Sequence, residues 1–493
     1  GSVDTQSSVA EESGRVEWRK SWGQGSGGRG QGLGDRGQGG ARDGTVFLRG
    51  NVLNEARGNG TPDQTNGTRL WRYVAGGDAD EWGGHGAVRV FGDREAYRQS
   101  FSAIAADRDS ETLTRLQRVP VDEFGFSATG ARGFGKSVTV GVGLDLRDIR
   151  ATDAETPVSG GVAGAPTATS AHQRELGGYA EGIWQARGWS VAGSMRVDAF
   201  RTFDGKAVTA GVASSGVGSA PSVVAEPEVR EVVGSPHLGV VRQLPGGLAL
   251  TANAFRAFRG PTMNELYRTG QVGQQTTLAN PSLVSERATG FEFGGEFADM
   301  RIAGREVGHL RASYFWTEVN RPVSTVLLVQ TATTQTLQRQ NLGQIRSRGL
   351  SVEAGTATWR GVDFRAGYQL AVATVTRFDT SSPLQANLAG KWLPEVPRNM
   401  ATAGVDWARP GWFGVHGVLS YTGRTFDDSA NQSLLSGYAR LDVSAERTLW
   451  RGLGLYAGAQ NVLDRRIEAG RTPVLTLAAP RLVQGGLRWG FGD

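Results

Sequence analysis

The feature of this sequence that most constrains its fold is a set of long stretches in which apolar and polar residues alternate. Between residues 137 and 147, one parity carries Val138, Val140, Val142, Leu144 and Leu146, and the other carries Ser137, Thr139, Gly141, Gly143, Asp145 and Arg147. Residues 189–200, 362–372 and 437–446 behave in the same way. Because successive side chains of a β-strand point to opposite faces, each stretch predicts a strand with one apolar face and one polar face.

The length of these strands points to a membrane. They run for about ten residues or more, roughly twice the usual strand of a globular protein. A tilted strand needs about 9–11 residues to cross a bilayer. The polar faces also carry Arg, Asp and Glu, which would be costly inside the dry core of a sandwich. A water-filled interior accommodates those charges, so the pattern indicates a barrel whose apolar face contacts lipid.

The links between strands alternate between short and long, as the periplasmic turns and external loops of outer-membrane barrels do. The short links are 133–136, 245–247, 359–361 and 409–412, and the long ones are about 149–174, 203–235, 259–286, 378–397, 425–436 and 461–473. We therefore predict an all-β chain that forms a transmembrane antiparallel barrel of about 22 strands. The short turns would be periplasmic and the long loops extracellular, with residues 1–493 as one barrel domain.

Composition excludes several other classes of protein. No apolar run reaches 18 residues, so no transmembrane helix is predicted. The chain has no cysteine, which excludes disulfides and thiolate metal sites, and its net charge of +5 is scattered, which argues against nucleic-acid binding. A soluble propeller or sandwich is the alternative. It would have shorter strands, a sequence repeat or similar loops at both ends.

The sequence offers no motif for a cofactor, a metal ion or a catalytic centre. The letters Gly23-x-Gly25-x-x-Gly28 lack the strand–helix–strand context of a dinucleotide site and instead indicate an exposed, mobile loop. There is no GxSxG or HExxH motif, and the histidines are dispersed: His85, His172, His237, His309 and His416. We expect a chain without enzymatic activity, cofactor or metal site.

The C-terminal stretch QGGLRWGF, residues 484–491, predicts a last strand with an aromatic-tipped apolar side. On a barrel, Trp489 and Phe491 would lie in the aromatic girdle at the membrane edge. The stretch also resembles the C-terminal signal that the outer-membrane barrel assembly machinery recognises, with Gln484, Gly486, Trp489 and Phe491 in its places. An ordinary final strand is the alternative interpretation, and the two are compatible.

Several phrases resemble the TonB-dependent outer-membrane receptors, and their order and spacing over about 235–491 make the set specific. AFRAFRGPTMNELYR (254–268) is similar to the family's phrase before a long external loop, through Arg259, Pro261, Thr262, Asn264, Glu265, Leu266 and Tyr267. The later phrases match through Asn280, Pro281, Leu283, Glu286, Glu292 and Gly294, then Asn341, Arg348, Gly349 and Glu353, and finally Asn461, Asp464, Pro480 and Arg481.

The resemblance implies an integral barrel of the bacterial outer membrane that takes up a scarce, bulky nutrient such as a ferric siderophore, cobalamin or a glycan. The family's N-terminal plug domain has no counterpart that we recognise, so a plug-free passive porin and a loop-based receptor or adhesin scaffold stay open as alternatives. Expected partners are outer-membrane lipid and lipopolysaccharide, the barrel assembly machinery and, if a plug exists upstream or as a separate chain, that plug and a TonB-type energy-coupling protein. From their position before a long loop, Arg259, Tyr267 and Arg268 are the candidate substrate-binding residues.

Overall fold

A computed structural model describes most of the chain: residues 2–22, 43–81, 83–105, 107–211, 213–214, 217–218, 220–272, 275–331, 335–380, 382–409, 411–450, 452–471 and 475–489. The glycine-rich run with Gly23, Gly25 and Gly28, and Phe491 of the predicted assembly signal, lie outside these residues. Among the described residues, none of the helices has the length and apolar character that a membrane-crossing helix requires.

Nineteen long strands form the wall of the molecule. In chain order they are β1 (Ser8–Trp22), β2 (Asp43–Gly58), β3 (Thr65–Glu81), β4 (Gly84–Ile104), β5 (Glu111–Phe134), β6 (Val138–Ser159), β7 (Thr167–Ala186), β8 (Trp189–Thr209), β9 (Val229–Gln243), β10 (Leu248–Arg259), β11 (Glu286–Ile302), β12 (Arg305–Asn320), β13 (Gln344–Thr356), β14 (Val362–Arg377), β15 (Asn399–Ala408), β16 (Gly414–Thr422), β17 (Tyr438–Trp450), β18 (Leu453–Gln460) and β19 (Leu482–Trp489).

Each wall strand pairs antiparallel with the next one in the chain, from β1 and β2 through to β18 and β19. With two short additions, Val162–Ala163 and Ser222–Ala225, the main sheet has 21 strands. The predicted all-β antiparallel architecture of about 22 strands is therefore confirmed. Such a meander needs only hairpin links between consecutive strands, which matches the regular alternation of turn and loop along the sequence.

Short elements lie in the links between wall strands. They are the strands Ala213–Ser214, Val217–Gly218, Gly270–Val272, Gln275–Leu278, Val323–Gln330, Gln335–Asn341, Thr425–Phe426, Leu434–Leu435, Glu468–Gly470 and Thr476–Leu477, the 3₁₀ turn Pro245–Gly247 and the α-helix α1 (Met263–Tyr267). Apart from the 3₁₀ turn, all of them lie at the end of the wall that carries the long loops.

The two faces of the wall differ as the alternation predicts. The outward face carries exposed rows of large apolar side chains, which we call the apolar belt; Val142 is 53% exposed and Leu176 54% exposed. The register places Val142 opposite Ala180, so the rows continue from strand to strand. The inward face carries ion pairs, such as Arg147 with Glu123, at 2.7 Å between Nη2 and Oε2. Apolar surface that is exposed in this continuous form needs lipid around it.

The tight turns are built for twisted hairpins. In the link between β7 and β8, Arg187 and Gly188 have φ values of 51° and 78°. Ala303 and Gly304, between β11 and β12, have 51° and 78°. Two successive residues with positive φ give the turn whose twist matches that of paired strands. The short links predicted at 133–136, 245–247, 359–361 and 409–412 all fall at junctions between consecutive wall strands.

The extent of two predicted long links is wrong. Residues 149–174 and 203–235 were expected to be loops, but β6 continues to Ser159, β7 begins at Thr167, β8 ends at Thr209 and β9 begins at Val229. The strands continue beyond the apolar belt, where the outward face carries exposed polar side chains such as Arg150 and Arg174. Apolar periodicity therefore disappears from the sequence while the backbone hydrogen bonds of the sheet persist.

The two ends of the wall run in the same direction, because nineteen strands alternate in orientation. In the part of the chain that the structure describes, β1 pairs only with β2, and β19 pairs only with β18. The expected closure of the last strand against the first is not among these pairings. A direct pairing of these two strands would be parallel, unlike every other pairing in the wall.

Candidate binding site at the loop end of the barrel

Two long loops fold together at the loop end of the wall. They are residues 260–285, between β10 and β11, and 321–343, between β12 and β13; their described parts form what we call the mouth platform. Gln275–Leu278 of the first loop pairs in parallel with Gln335–Asn341 of the second, and Val323–Gln330 adds an antiparallel strand. Parallel pairing of two short loop segments fixes both of them as one unit.

Helix α1 begins the first loop of the platform, and its start is specified locally. The Thr262 side chain accepts a hydrogen bond from the Glu265 backbone N–H at 3.2 Å, and the Thr262 backbone N–H donates to Glu265 Oε2 at 2.9 Å. This reciprocal pair is a capping box, which satisfies two otherwise unpaired backbone donors. It orients Leu266 and Tyr267 toward the wall, where both are buried.

A small apolar core holds the platform against the wall. Leu266 is fully buried and Leu283 is 1% exposed. They belong to one cluster with Phe200 of β8 and Val229 of β9. Because most other large apolar side chains of the chain face outward, this cluster is where the loop end gains its stability from burial.

Arg259, the first predicted substrate-binding residue, ends β10 between two carboxylates. Its guanidinium donates to Glu265 at 2.9 and 3.1 Å and to Glu286 at 2.8 and 2.9 Å. Burial alone would raise the pKa of Glu265, but the hydrogen bonds from Arg259 and Thr262 outweigh it and the pKa is lowered. The Arg259 side chain remains 44% exposed, so part of it faces the mouth.

Tyr267, the second predicted residue, is 4% exposed and ends helix α1. Its hydroxyl donates to the Pro227 carbonyl at 2.7 Å, which links the platform to the segment that precedes β9. Burial raises the pKa of Tyr267 to about 12. The phenol is therefore neutral across the physiological range, and it holds its partner by a neutral hydrogen bond.

Arg268, the third predicted residue, fastens the platform to the inner wall. Its Nε lies 2.5 Å from Asp153 Oδ2, and its Nη2 donates to Glu155 Oε1 at 3.3 Å. Gln117 of β5 donates to the same two carboxylates at 2.9 and 3.1 Å. Arg268 therefore contacts two carboxylates of β6, a strand that lies much earlier in the sequence. Arg259 and Arg268 flank helix α1 in the chain and have different carboxylate partners.

The sequence of nearly the whole wall matches one protein family. The family model described as TonB dependent receptor-like, β-barrel matches residues 8–462. The chain belongs to the TonB-dependent receptor family. Its place is therefore the outer membrane, and its class is that of receptors and transporters rather than enzymes.

Solved TonB-dependent receptors share the fold of this receptor barrel. The ferric yersiniabactin uptake receptor of Yersinia pestis has a TM-score of 0.68 at 14% identity, over 92% of this chain and 71% of that one. The ferric-catecholate import receptor of E. coli has 0.67 at 14%, over 92% and 74%. The pyoverdine receptor of Pseudomonas aeruginosa, solved with pyoverdine bound, has 0.66 at 13%, over 92% and 71%. A search of curated protein sequences finds no significant match.

Several residues that hold the platform of this receptor were not assigned a role from sequence. The Asn341 side chain accepts from the Val284 N–H at 2.8 Å and donates to the Val284 carbonyl at 2.9 Å, which joins the two loops. The fully buried Ser285 donates its N–H to Glu231 Oε1 at 2.8 Å. Asn341 stands in a family-like phrase, so the sequence marked its position but not its partner.

Three residues of the predicted assembly signal, Gln484, Gly486 and Trp489, lie on β19 of the receptor barrel. Trp489 is 65% exposed and Leu487 69% exposed, and both lie on the same parity of this edge strand. A Cβ on Gly486 would lie 2.6 Å from the Tyr456 hydroxyl, so the tyrosine ring of β18 covers the glycine. Gln484 shares the parity of Gly486 and pairs with Gly458. Recognition of these residues by the assembly machinery stays a prediction.

Proposed function

We propose that this barrel takes up a scarce, bulky nutrient across the outer membrane, of the ferric siderophore, cobalamin or glycan class, by TonB-dependent transport. The named activities of the structural relatives, ferric siderophore uptake among them, support this class of cargo. The proposed partners are a plug domain, a TonB-type energy-coupling protein, the barrel assembly machinery and the lipopolysaccharide-containing membrane.

The observation that carries the proposal is the mouth platform. Two loops that share a sheet and a buried core present a fixed surface at the external end of the barrel. A pore that selects only by size gains nothing from such an assembly, whereas a receptor needs a preorganised surface to bind a dilute ligand. The platform is also fastened to the inner wall through Arg268, which helps to hold its surface in one position.

We propose that the three residues predicted from sequence have two different roles in ligand binding. Arg259 is the contact for the ligand, because its guanidinium is partly exposed and held in place by Glu265 and Glu286. Tyr267 and Arg268 position the platform, because both are engaged in its attachment to the wall. An arginine that two carboxylates hold rigid binds an oxygen-rich ligand with little loss of side-chain freedom.

Uptake by whole cells tests the function. The full-length protein is expressed in an outer-membrane receptor-deficient strain and offered ⁵⁵Fe-loaded catecholate, hydroxamate and citrate chelates and ⁵⁷Co-labelled cyanocobalamin. We expect one of these probes to accumulate, and its accumulation to stop when the energy-coupling protein is deleted. Uptake that persists in the deletion strain would instead identify a passive pore.

A binding measurement tests the role of Arg259. With the probe that accumulates, Arg259→Gln is expected to weaken binding to the purified protein by about tenfold, the loss of one charge-assisted hydrogen bond. Gln330→Ala, on an exposed platform residue, is the control and should leave the affinity unchanged. Equal affinity of Arg259→Gln and the parent protein would reject Arg259 as the contact.

A further inference from the structure

The sequence contains the tripeptide Asn-Gly-Thr twice in one short stretch, at 59–61 and 66–68, and nowhere else is an asparagine followed by a glycine. In an Asn-Gly pair, the backbone nitrogen of the glycine can attack the asparagine side chain, because glycine has no Cβ to obstruct the approach. The two residues that follow the asparagine are the same in both copies. A difference between the copies that exists only in the folded protein therefore has a structural cause.

The reaction of such a pair needs only water and the chain itself. At the first copy, the backbone nitrogen of Gly60 bonds to Cγ of Asn59, the bond from Cγ to the side-chain nitrogen breaks, and ammonia leaves with the proton of the Gly60 N–H. Water then opens the cyclic imide at either of its two carbonyls. One product is aspartate, and the other is isoaspartate, in which the main chain runs through Cβ and Cγ. Both products carry a carboxylate in place of the neutral amide.

Asn59 lies where this reaction can proceed. It is exposed in the link between β2 and β3, at the same end of the wall as the mouth platform. Gly60 has a φ of 92° and belongs to neither strand. In the part of the chain that the structure describes, neither the Asn59 side chain nor the Gly60 N–H has a hydrogen-bond partner. The two reacting groups are therefore free to approach each other.

Asn66 has the same chemistry but lies within the wall. It pairs with Arg57 of β2 and with Gln99 of β4, so its strand has a neighbour on both sides. Its side chain is hydrogen-bonded to the Tyr97 hydroxyl. Gly67 is buried, and a Cβ there would lie 2.9 Å from a backbone oxygen of β2. The cyclic imide can therefore form at Asn66 only after this part of the sheet has opened.

We propose that Asn59 is a site of spontaneous, age-dependent conversion to aspartate and isoaspartate at the external end of the barrel, and that the sheet protects Asn66 from the same reaction. The conversion adds one negative charge to an exposed link and requires no enzyme. The proposal depends on the fold of β2 and β3 and not on the proposed uptake function.

The conversion alters a contact of the N-terminal segment, residues 2–7. The Thr5 N–H donates to the Gly60 carbonyl at 2.9 Å. Isoaspartate lengthens the main chain next to Gly60, so it displaces this carbonyl relative to Thr5. Arg108 donates to Asp4 at 2.8 Å, which gives the segment a second point of attachment. The conversion is therefore expected to loosen the segment at Thr5 without releasing it.

Peptide mapping by mass spectrometry tests the proposal on the full chain in detergent, incubated in mildly alkaline buffer made with ¹⁸O-labelled water. The label marks conversion that precedes digestion. Trypsin cleaves after Arg57 and Arg69, so a single peptide carries both asparagines and its fragment ions report each one. In the folded protein we expect Asn59 to convert at least about tenfold faster than Asn66.

The denatured chain is the control for sequence effects. In guanidinium chloride the two asparagines should convert at rates that agree within about twofold, because the sheet that protects Asn66 is then absent. Equal rates in the folded protein would overturn the proposal. The same tenfold ratio in the denatured chain would also overturn it, since the difference would then arise from sequence and not from the fold.

A variant and a hydrogen-exchange measurement complete the assignment. Asn59→Gln should abolish the fast conversion, because glutamine would have to close a larger ring, and should leave the rate at Asn66 within about twofold. Fast conversion of the same peptide in this variant would refute the assignment to Asn59. Exchange of the Thr5 N–H should be about tenfold faster in converted than in fresh protein. The control is the Val3 N–H, which donates to the Arg108 carbonyl and should be unaffected; unchanged exchange at Thr5 would refute the loosening.

Discussion

At the scale of single residues, close approach of two backbones decides where this chain needs glycine. Gly349 of β13 is buried, and a Cβ at this position would lie 1.7 Å from the carbonyl oxygen of Leu370 on β14. A carbonyl oxygen in a paired strand cannot rotate away as a side chain does. Gly349 is also one of the positions through which the sequence resembles its family, so this resemblance has a steric cause.

Gly349→Ala is expected to disrupt the pairing of β13 with β14 and to destabilise the barrel by about 1–3 kcal/mol, the usual cost of overpacking. The measurement is the fraction of protein that refolds into lipid vesicles across a urea series. Gly182→Ala is the matched control on β7, because its Cβ would meet nothing within 4 Å. Equal refolding of both variants would show that the wall relaxes around the added methyl group without cost.

Arg268 is the residue whose loss should release the mouth platform. Arg268→Met leaves the mostly buried Asp153 without its cation, while Glu155 keeps its ion pair with Arg115, and we expect a cost of about 2 kcal/mol to platform closure. Limited proteolysis within residues 260–285 of the detergent-solubilised protein measures this opening. Arg377→Met is the control, since Arg377 and Asp379 form an exposed pair worth little. Cleavage as slow as in the parent would mean that the apolar core alone holds the platform.

At the scale of elements, the five-residue helix α1 depends on its surroundings. A helix this short is unstable alone, so its capping box and the burial of Leu266 and Tyr267 must hold it. The wall strands differ, because each is paired along its length and their apolar side faces lipid. Platform and wall should therefore open independently, with the platform opening first.

The raised pKa of Tyr267 predicts a pH dependence for this element. The folded-state pKa is about 12 against 10.0 for the unperturbed phenol, so the neutral form favours the folded platform. This contribution is fully present below pH 10 and is lost as the pH rises from 10 through about 12. Proteolysis within 260–285 should accelerate over that window, and Tyr267→Phe should remove this part of the acceleration. An identical pH profile for the two proteins would contradict the role of the phenol.

At the scale of the whole molecule, the wall requires lipid on one face and water on the other. Val142 lies midway along the outward row from Val138 to Leu146 and is 53% exposed. Val142→Arg is expected to destabilise the barrel in vesicles by about 2–4 kcal/mol, the cost of a cation at the bilayer midplane. Thr139→Arg, which faces inward on the same strand, should cost less than about 1 kcal/mol.

Equilibrium unfolding in vesicles compares the two substitutions. If the inward substitution were the more costly one, the assignment of the faces would be reversed. The same assignment requires that the purified chain needs detergent or lipid to stay dispersed, because the outward rows form one continuous apolar surface.

The strands of the wall can be predicted well from the sequence, because the alternation of apolar and polar residues that marks each strand lies within the strand itself. The period of two in residues 137–147 gives both the strand and its lipid face, and the short links mark the turns. The prediction fails beyond the apolar belt, as at 149–174, because the outward face of the strand is polar there and no apolar period marks it. There, only the hydrogen bonds to its neighbours define the strand.

What the sequence by itself determined is therefore the all-β membrane wall, its two faces and the family, since alternation and short phrases depend on neighbours along the chain. Tertiary structure alone decided which groups meet at the mouth: Arg268 with Asp153, and Asn341 with Val284. Those contacts join residues tens to more than a hundred positions apart. They depend on the register of every strand between them, and no local pattern carries that information.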